Sequence, residues 1–344
     1  MAKTLVTGAT GHIGSMVVRE LVNRGHRTVA LVRHHSDRRG LEDVDVELVE
    51  GDVLDRASVD RAAAGTEIVI HCAANFAIWA KNESEILKPA LEGTRNVLQA
   101  AARAGTRRVV HTSSAAAVGA APSADRLLNE DDWFDDPRVP YYQAKTRSER
   151  LARKVASELE LDLVTVCPTM VLGGNDYRLT PSQRVILDLV RGTGATVGGG
   201  TNIVSVEDVA LGHVLAAEIG KPGARYLLGG DNISIVELGG LVEAITGVRP
   251  RHLDLPKWAF KGIAAFMEIG ASLSRKPPHL TRAAVDDVLG KYAWYDLSRS
   301  QAQLGLESSP ALHVVAEAIE WFGKMGWIDP KAPIRDAARV PEAA

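Results

Sequence analysis

Short apolar runs alternate with amphipathic stretches through the first half of the chain. Thr4-Leu5-Val6, Thr28 to Val32, Val46 to Val49, Glu67 to His71, Arg108 to Thr112 and Leu163 to Cys167 have the length and composition of strands. Ile13 to Arg24, Leu87 to Ala104 and Tyr141 to Leu159 space their apolar residues as helices do, and Gly25 and Gly105 are placed to stop the first two. Strands this apolar, separated by helices, predict a parallel sheet covered on both faces, a doubly wound α/β fold.

The rhythm loosens from about Gly173. Gly192 to Gly200 reads as a loop, Val204 to Val206 and Tyr226 to Leu228 as short strands, and Ile235 to Thr246 as a helix stopped by Gly247. Leu312 to Phe322 is a last amphipathic helix. Trp258 to Leu273 is an apolar helical stretch, for which a core helix of the second lobe is the favoured reading; a lid or a membrane-touching surface is the alternative. The pattern divides the chain into a first unit over 1–172, rejoined by elements from about 200–230, a smaller α/β lobe over 173–328, and a loose tail over 329–344.

Composition narrows the class. Of 344 residues, 46% are apolar and 24% charged, with a net charge of -3, which excludes the basic footprint of a nucleic-acid binder. No apolar run reaches the roughly 18 residues of a membrane span. Met1-Ala2-Lys3 does not open a signal peptide. Two cysteines, Cys72 and Cys167, fit a reduced, cytoplasmic setting and the role of small buried hydrophobes.

Thr7-Gly8-Ala9-Thr10-Gly11-His12-Ile13-Gly14 lies between the first strand and the first helix. Gly8 suits a turn with positive φ, Gly11 lets a backbone approach a pyrophosphate, and Gly14 lets helix and sheet close up. The helix N-terminus then offers N–H groups to the phosphates. Thr10, His12 and Ile13 belong to this dinucleotide loop. The second strand ends in Val32-Arg33-His34-His35 with no carboxylate before Asp37, so Arg33 is placed for a ribose phosphate and NADP(H) is favoured over NAD(H). Asp52, followed by Val53, can accept from the adenine amino group; a helix N-cap is the structural alternative, with Asp55 competing for it.

Tyr141 and Lys145 share one helix face at i and i+4. The ammonium is expected to lower the phenol pKa and so equip Tyr141 as a proton donor or acceptor. Thr112-Ser113-Ser114 ends the fifth strand, where doubly wound sheets bind ligands. One serine should face the site and the other the packing. Thr112 reads as structural, and so does His71. Glu130-Asp131-Asp132 reads as a solvated loop rather than a metal site.

These residues resemble the extended short-chain dehydrogenase/reductase family over about Lys3 to Gly326. The TGATGHIG loop, Gly51-Asp52-Val53, His71-Cys72-Ala73-Ala74, the Thr-Ser-Ser strand end, Tyr141 with Lys145, and Val204 to Ala210 carry the resemblance. Lys88-Pro89-Ala90-Leu91-Glu92-Gly93 and Cys167-Pro168-Thr169-Met170-Val171-Leu172-Gly173 are similar to the dihydroflavonol and cinnamoyl-CoA reductase branch. Trp79, Thr201 to Val204 and Tyr226 to Gly230 resemble a hopanoid-associated sugar-epimerase group. The resemblance implies a Rossmann fold and an NAD(P)-dependent oxidoreductase acting on CH–OH or C=O groups. It implies catalysis by Ser114, Tyr141 and Lys145, cofactor contacts from Ala73, Ala74, Pro168 and Val171, and a possible homodimer.

Substrate contacts are expected from Phe76, Ile78 and Trp79, from Ser114, Tyr141 and the Ala115 to Val118 loop with Ala116, from Met170, and from the region beyond Asp176. That list is mostly apolar, which suits an aromatic or alicyclic carbonyl or alcohol. A sugar-nucleotide epimerase or dehydratase with held NAD, a 3β-hydroxysteroid dehydrogenase-like activity and a non-catalytic NADP sensor are the competing readings.

Overall fold

The computed structural model describes residues 2–74, 84–274, 278 and 280–329. The strands are β1 (Lys3–Thr7), β2 (Arg27–Val32), β3 (Glu47–Glu50), β4 (Ile68–His71), β5 (Arg108–Thr112), β6 (Leu163–Pro168), β7 (Met170–Leu172), β8 (Ala195–Thr196), β9 (Gly200–Ser205), β10 (Arg225–Leu228), β11 (Asp231–Ser234) and β12 (Arg251–His252). The helices are α1 (His12–Asn23), α2 (Arg56–Ala63), α3 (Ser84–Lys88), α4 (Thr94–Ala104), α5 (Pro140–Glu158), α6 (Pro181–Val190), α7 (Val206–Ile219), α8 (Ile235–Thr246), α9 (Lys257–Ser274), α10 (Arg282–Asp287), α11 (Ser298–Leu304) and α12 (Ala311–Lys324).

Seven strands pair in parallel in the order β10-β6-β5-β4-β1-β2-β3. Their continuous apolar runs have a direct cause: successive residues point to opposite faces, and both faces are covered. Leu5, Val29 and Val109 pack under α2, α4 and α5, whereas Val6, Ala30 and Val110 pack under α1 and α7. The reversal of strand order beside β1 opens the crevice where doubly wound sheets bind ligands.

A three-stranded sheet, β11-β9-β7, leads into the second lobe. Its core sets Leu172 and Ile203 against Ile186, Val242, Val315 and Phe322 of α6, α8 and α12. Helix α8 begins with a reciprocal Ser234–Glu237 capping box and ends at Gly247, whose φ is 75°.

The Gly192 to Gly200 stretch, expected as a loop, holds the short strand β8, and three helical regions also depart from the sequence expectation. The stretch over Leu87 to Ala104 is not one α-helix, because Pro89 has no N–H to donate; a π turn over Pro89–Gly93 joins α3 to α4. Helix α7 had no amphipathic signature to read: Val206, Val209, Ala210, His213, Val214 and Ala217 are buried on one face, and the apolar Leu211 and Leu215 stand half-buried on the other. Helix α9 forms, but it is not a core helix. Among its described side chains only Phe260, Ala264 and Ala271 are buried, while Trp258 and Phe266 are 76% and 79% exposed. Among the described residues no helix is long and apolar enough to cross a membrane.

Candidate active site

The glycine loop turns tightly after β1. Gly8 has φ 70°, its carbonyl accepts from the Gly11 N–H at 2.9 Å, and a Cβ on Gly8 would stand 2.6 Å from the Ala73 nitrogen. A Cβ on Gly14 would overlap the Gly8 carbonyl oxygen. No side chain caps α1, and no acidic residue stands in its first turn. Its leading N–H groups are therefore left to an external acceptor, which fits a dinucleotide pyrophosphate. The His12 side chain does not face this cradle. Its Nε2 lies 2.9 Å from the Gly174 carbonyl, and burial lowers its pKa, so only its backbone and that of Ile13 can serve the loop.

A cleft of about 740 Å³ opens beyond the ends of β2 and β3, lined by Arg33, His35, Glu50, Asp52 and Arg178 among others. Arg33 is exposed and has no ion-pair partner among the described residues. Asp37, the first carboxylate after β2, is held by Arg39, which keeps its pKa low. Glu50 is engaged by His34 at 3.0 Å. Asp52 Oδ1 accepts from the Leu54 N–H, while Asp55 is the N-cap of α2. The Val53 carbonyl accepts from Asn96.

Arg178 belongs to no local motif and was not legible in the sequence. The segment just beyond Asp176, expected on the substrate side, packs beside the glycine loop and the residues that follow β2. Arg178 donates to Thr10 Oγ1 at 3.3 Å, and Tyr177 lies under Arg39. The segment is tightly held. Asp176 is buried and accepts from the Arg178 and Thr180 N–H groups, and Trp321 donates to its carbonyl. Asn175 and Leu179 take positive φ values of 61° and 52°, strain that persists only where surroundings enforce it.

Helix α5 begins with Pro140 at its first turn and buries Tyr141, Ala144, Lys145, Ser148 and Glu149 on one face. Ser114 hydrogen-bonds the Tyr141 phenol and accepts from the Ala116 N–H at 3.1 Å. Ser113 turns the other way and donates to Glu149. Strand alternation thus resolves the serine pair: Ser114 faces Tyr141 and Ser113 the packing.

The Tyr141 pKa is not lowered as expected. Burial pushes it up to about 12, with Ser114 pulling against that rise. The Lys145 Nζ donates to the Thr112 carbonyl at 3.0 Å. Burial also depresses Lys145 itself, to about 8. Thr112 is therefore more than a strand end. Its carbonyl fixes the lysine, and its hydroxyl meets His213 Nε2 at 2.9 Å. His71 is satisfied by Thr7 and Thr94.

Behind Ser113 lies a buried ion pair. Arg225 Nε stands 2.7 Å from Glu149 Oε1, close but poorly aligned, while its NH2 group donates to Glu149 Oε2 at 3.1 Å. Arg225 also lies 4.0 Å over the Trp133 ring and donates to the Glu130 and Asp132 carbonyls. The Glu130 to Asp132 loop is not simply solvated. Glu130 is buried, accepts from the Leu227 N–H, and has its pKa raised by burial.

Phe76, Ile78 and Trp79 lie outside the described residues. Ala73 donates to Thr7 Oγ1, and Ala74 is exposed beside it. Pro168 ends β6 next to Leu228, and Val171 is buried in β7 against Val204. The Met170 sulfur accepts from Thr201 at 3.7 Å. Among the described residues no His, Cys, Asp and Glu cluster has the makings of a metal site.

The chain matches the NAD dependent epimerase/dehydratase family over residues 4–229. It is 35% identical to sterol demethylase protein B of Methylococcus capsulatus over 331 residues, 94% of this chain and 99% of that one. It is 33% identical to cinnamoyl-CoA reductase CAD2 of Medicago truncatula over 242 residues, 65% and 74% of the two chains. The crystal structure of gox2253 superposes with a TM-score of 0.83 at 35% identity, covering 96% of this chain and all of that one. Together with the glycine cradle and the parallel sheet, these likenesses show that the chain belongs to the NAD dependent epimerase/dehydratase family, the extended short-chain dehydrogenases/reductases, within their dihydroflavonol reductase-like branch, and is an NAD(P)-dependent oxidoreductase.

Proposed function

We propose that the protein is an NADPH-dependent carbonyl reductase acting on an apolar ketone or aldehyde held between the nucleotide-binding sheet and the 173–328 lobe. The observation that carries this reading is the hydrogen bond between half-buried Ser114 and buried Tyr141, which stands one turn from Lys145 on α5. A dihydronicotinamide bound at the glycine loop would supply the hydride for the carbonyl carbon. Tyr141 gives its phenolic proton to the carbonyl oxygen, and Ser114 orients both. A phenol with a pKa near 12 stays protonated at neutral pH, which favours donation over abstraction. Lys145 holds the local positive charge. Arg33 supports NADP(H), since it faces the cleft and no free carboxylate follows β2. The reductase and sterol demethylase names of the relatives support an aromatic or alicyclic substrate.

The test is a scan of ketones, aldehydes and secondary alcohols with NADPH and NADH, followed at the nicotinamide absorbance. Tyr141→Phe should lower kcat/KM by about 10²–10⁴-fold while leaving NADPH affinity unchanged. Near-normal turnover of that variant refutes the proton-donor role. Cofactor retained through purification, with no net NADPH consumption, identifies an epimerase or dehydratase instead.

A further inference from the structure

The segment between β7 and α6 is held from two sides. Against the sheet domain it lies along the first turn of α1: the Gly174 carbonyl meets His12 Nε2 at 2.9 Å, and Asn175 Nδ2 donates to Ser15 Oγ at 2.9 Å. From the second lobe α12 holds it, with Trp321 donating to the Asp176 carbonyl and standing edge-on to Tyr177, ring centroids 5.1 Å apart. Buried Asp176 takes the Arg178 and Thr180 N–H groups, and left-handed backbone at Asn175 and Leu179 is kept without glycine. What this anchoring delivers is Arg178. Its guanidinium donates to Thr10 Oγ1 at 3.3 Å, inside the glycine loop, and it lines the same cleft as Arg33. A threonine hydroxyl does not neutralise a guanidinium. Arg178 makes no ion pair among the described residues; Asp37, close enough to feel its charge, is held by Arg39.

The charge balance of the cradle points the same way. A pyrophosphate carries full negative charge, whereas the Gly8 to Gly14 turn and the start of α1 offer N–H dipoles alone. No lysine or arginine stands between Thr7 and Val18. A guanidinium is the group best matched to phosphate oxygens. We propose that Arg178 is a pyrophosphate-binding residue, delivered to the glycine loop by the segment that leads into the second lobe, where its guanidinium meets the phosphate oxyanion of the dinucleotide beside Thr10. Placement favours the pyrophosphate over a ribose phosphate: the segment lies on the first turn of α1 and Arg178 bonds inside the loop, whereas Arg33 belongs to the end of β2. The two halves of the chain then share the cofactor, the sheet domain supplying dipoles and the later segment the charge. The inference rests on the NAD(P)-binding family and not on the carbonyl reading, because an epimerase would use the same contact.

The test titrates the full chain, freed of nucleotide, with NADP, NAD and 2′-AMP by isothermal calorimetry. Arg178→Ala should weaken NADP and NAD alike by about tenfold and leave 2′-AMP unchanged. Arg178→Gln keeps a donor for Thr10 without the charge and should lose as much, while Arg178→Lys should recover part of the affinity. All three should keep the wild-type melting temperature, because the side chain is exposed. A glutamine variant that binds like wild type overturns the proposal and leaves Arg178 as a tie to Thr10. A loss confined to NADP and 2′-AMP also overturns it, and puts Arg178 with Arg33 on the ribose phosphate. Unchanged NADP and NAD affinity in Arg178→Ala overturns it outright. None of these results touches the Tyr141 proton test, which reads turnover.

Discussion

Tyr141 and Lys145 lie one helical turn apart, yet burial moves their proton affinities in opposite senses, to about 12 and about 8. Both shifts disfavour the charged form. For Lys145, the folded pKa lies below the unfolded value of about 10.4, so the unfolded chain binds more protons between those values and stability rises with pH across that window. Activity should run the other way. Reductive kcat/KM should be level at neutral pH and fall as pH rises through about 8, when the ammonium is lost. Lys145→Met should remove that limb and lower the plateau; a limb that survives in the variant assigns it to another group. At the far end of the cofactor cleft, Arg33→Ala should weaken NADP binding by about tenfold and leave NAD binding unchanged, consistent with one charge-assisted contact. Arg178→Ala should weaken both, because it sits beside Thr10 of the pyrophosphate loop. Isothermal titration with the two nucleotides separates the effects.

At the level of elements, α5 serves two purposes with one face. Its first turns carry Tyr141 and Lys145, and the next carries Glu149 into the Arg225 pair that braces β5, β6 and β10 from behind. Glu149 is fully buried, so removing it strands the Arg225 charge. Glu149→Ala should cost about 3–5 kcal/mol, read as a lower denaturation midpoint. Ser113→Ala, which removes only one hydrogen bond to the same carboxylate, should cost about 1 kcal/mol. The contrast checks that the pair, not the serine, carries the bracing. Removing Ser114 should spare stability and reduce turnover, since its neighbour is the phenol.

At the level of the molecule, legibility in sequence followed how local each signal was. Parallel strands buried on both faces show as apolar runs, and helix ends at Gly25, Gly105 and Gly247 show because those glycines take positive φ. The glycine loop and the Tyr141–Lys145 spacing were readable for the same reason. Helix α7 was hidden because apolar Leu211, Leu215 and Ile219 on its less buried face blur the amphipathic period. Helix α9 was readable as a helix, but periodicity does not say which face meets the core. Arg178 was hidden because it reaches Thr10 across 168 residues of sequence, and the Tyr141 pKa because it depends on how deeply the fold buries the phenol.

Asp287 of α10 accepts from the Arg138 and Val139 N–H groups, at 2.7 and 2.8 Å, just before the helix that carries Tyr141. The late part of the chain therefore anchors the start of α5 from 148 residues away. The two halves are not interchangeable cassettes: grafting a relative's residues 173–329 onto this sheet to change specificity would also re-aim the proton donor, unless a carboxylate is kept at that position.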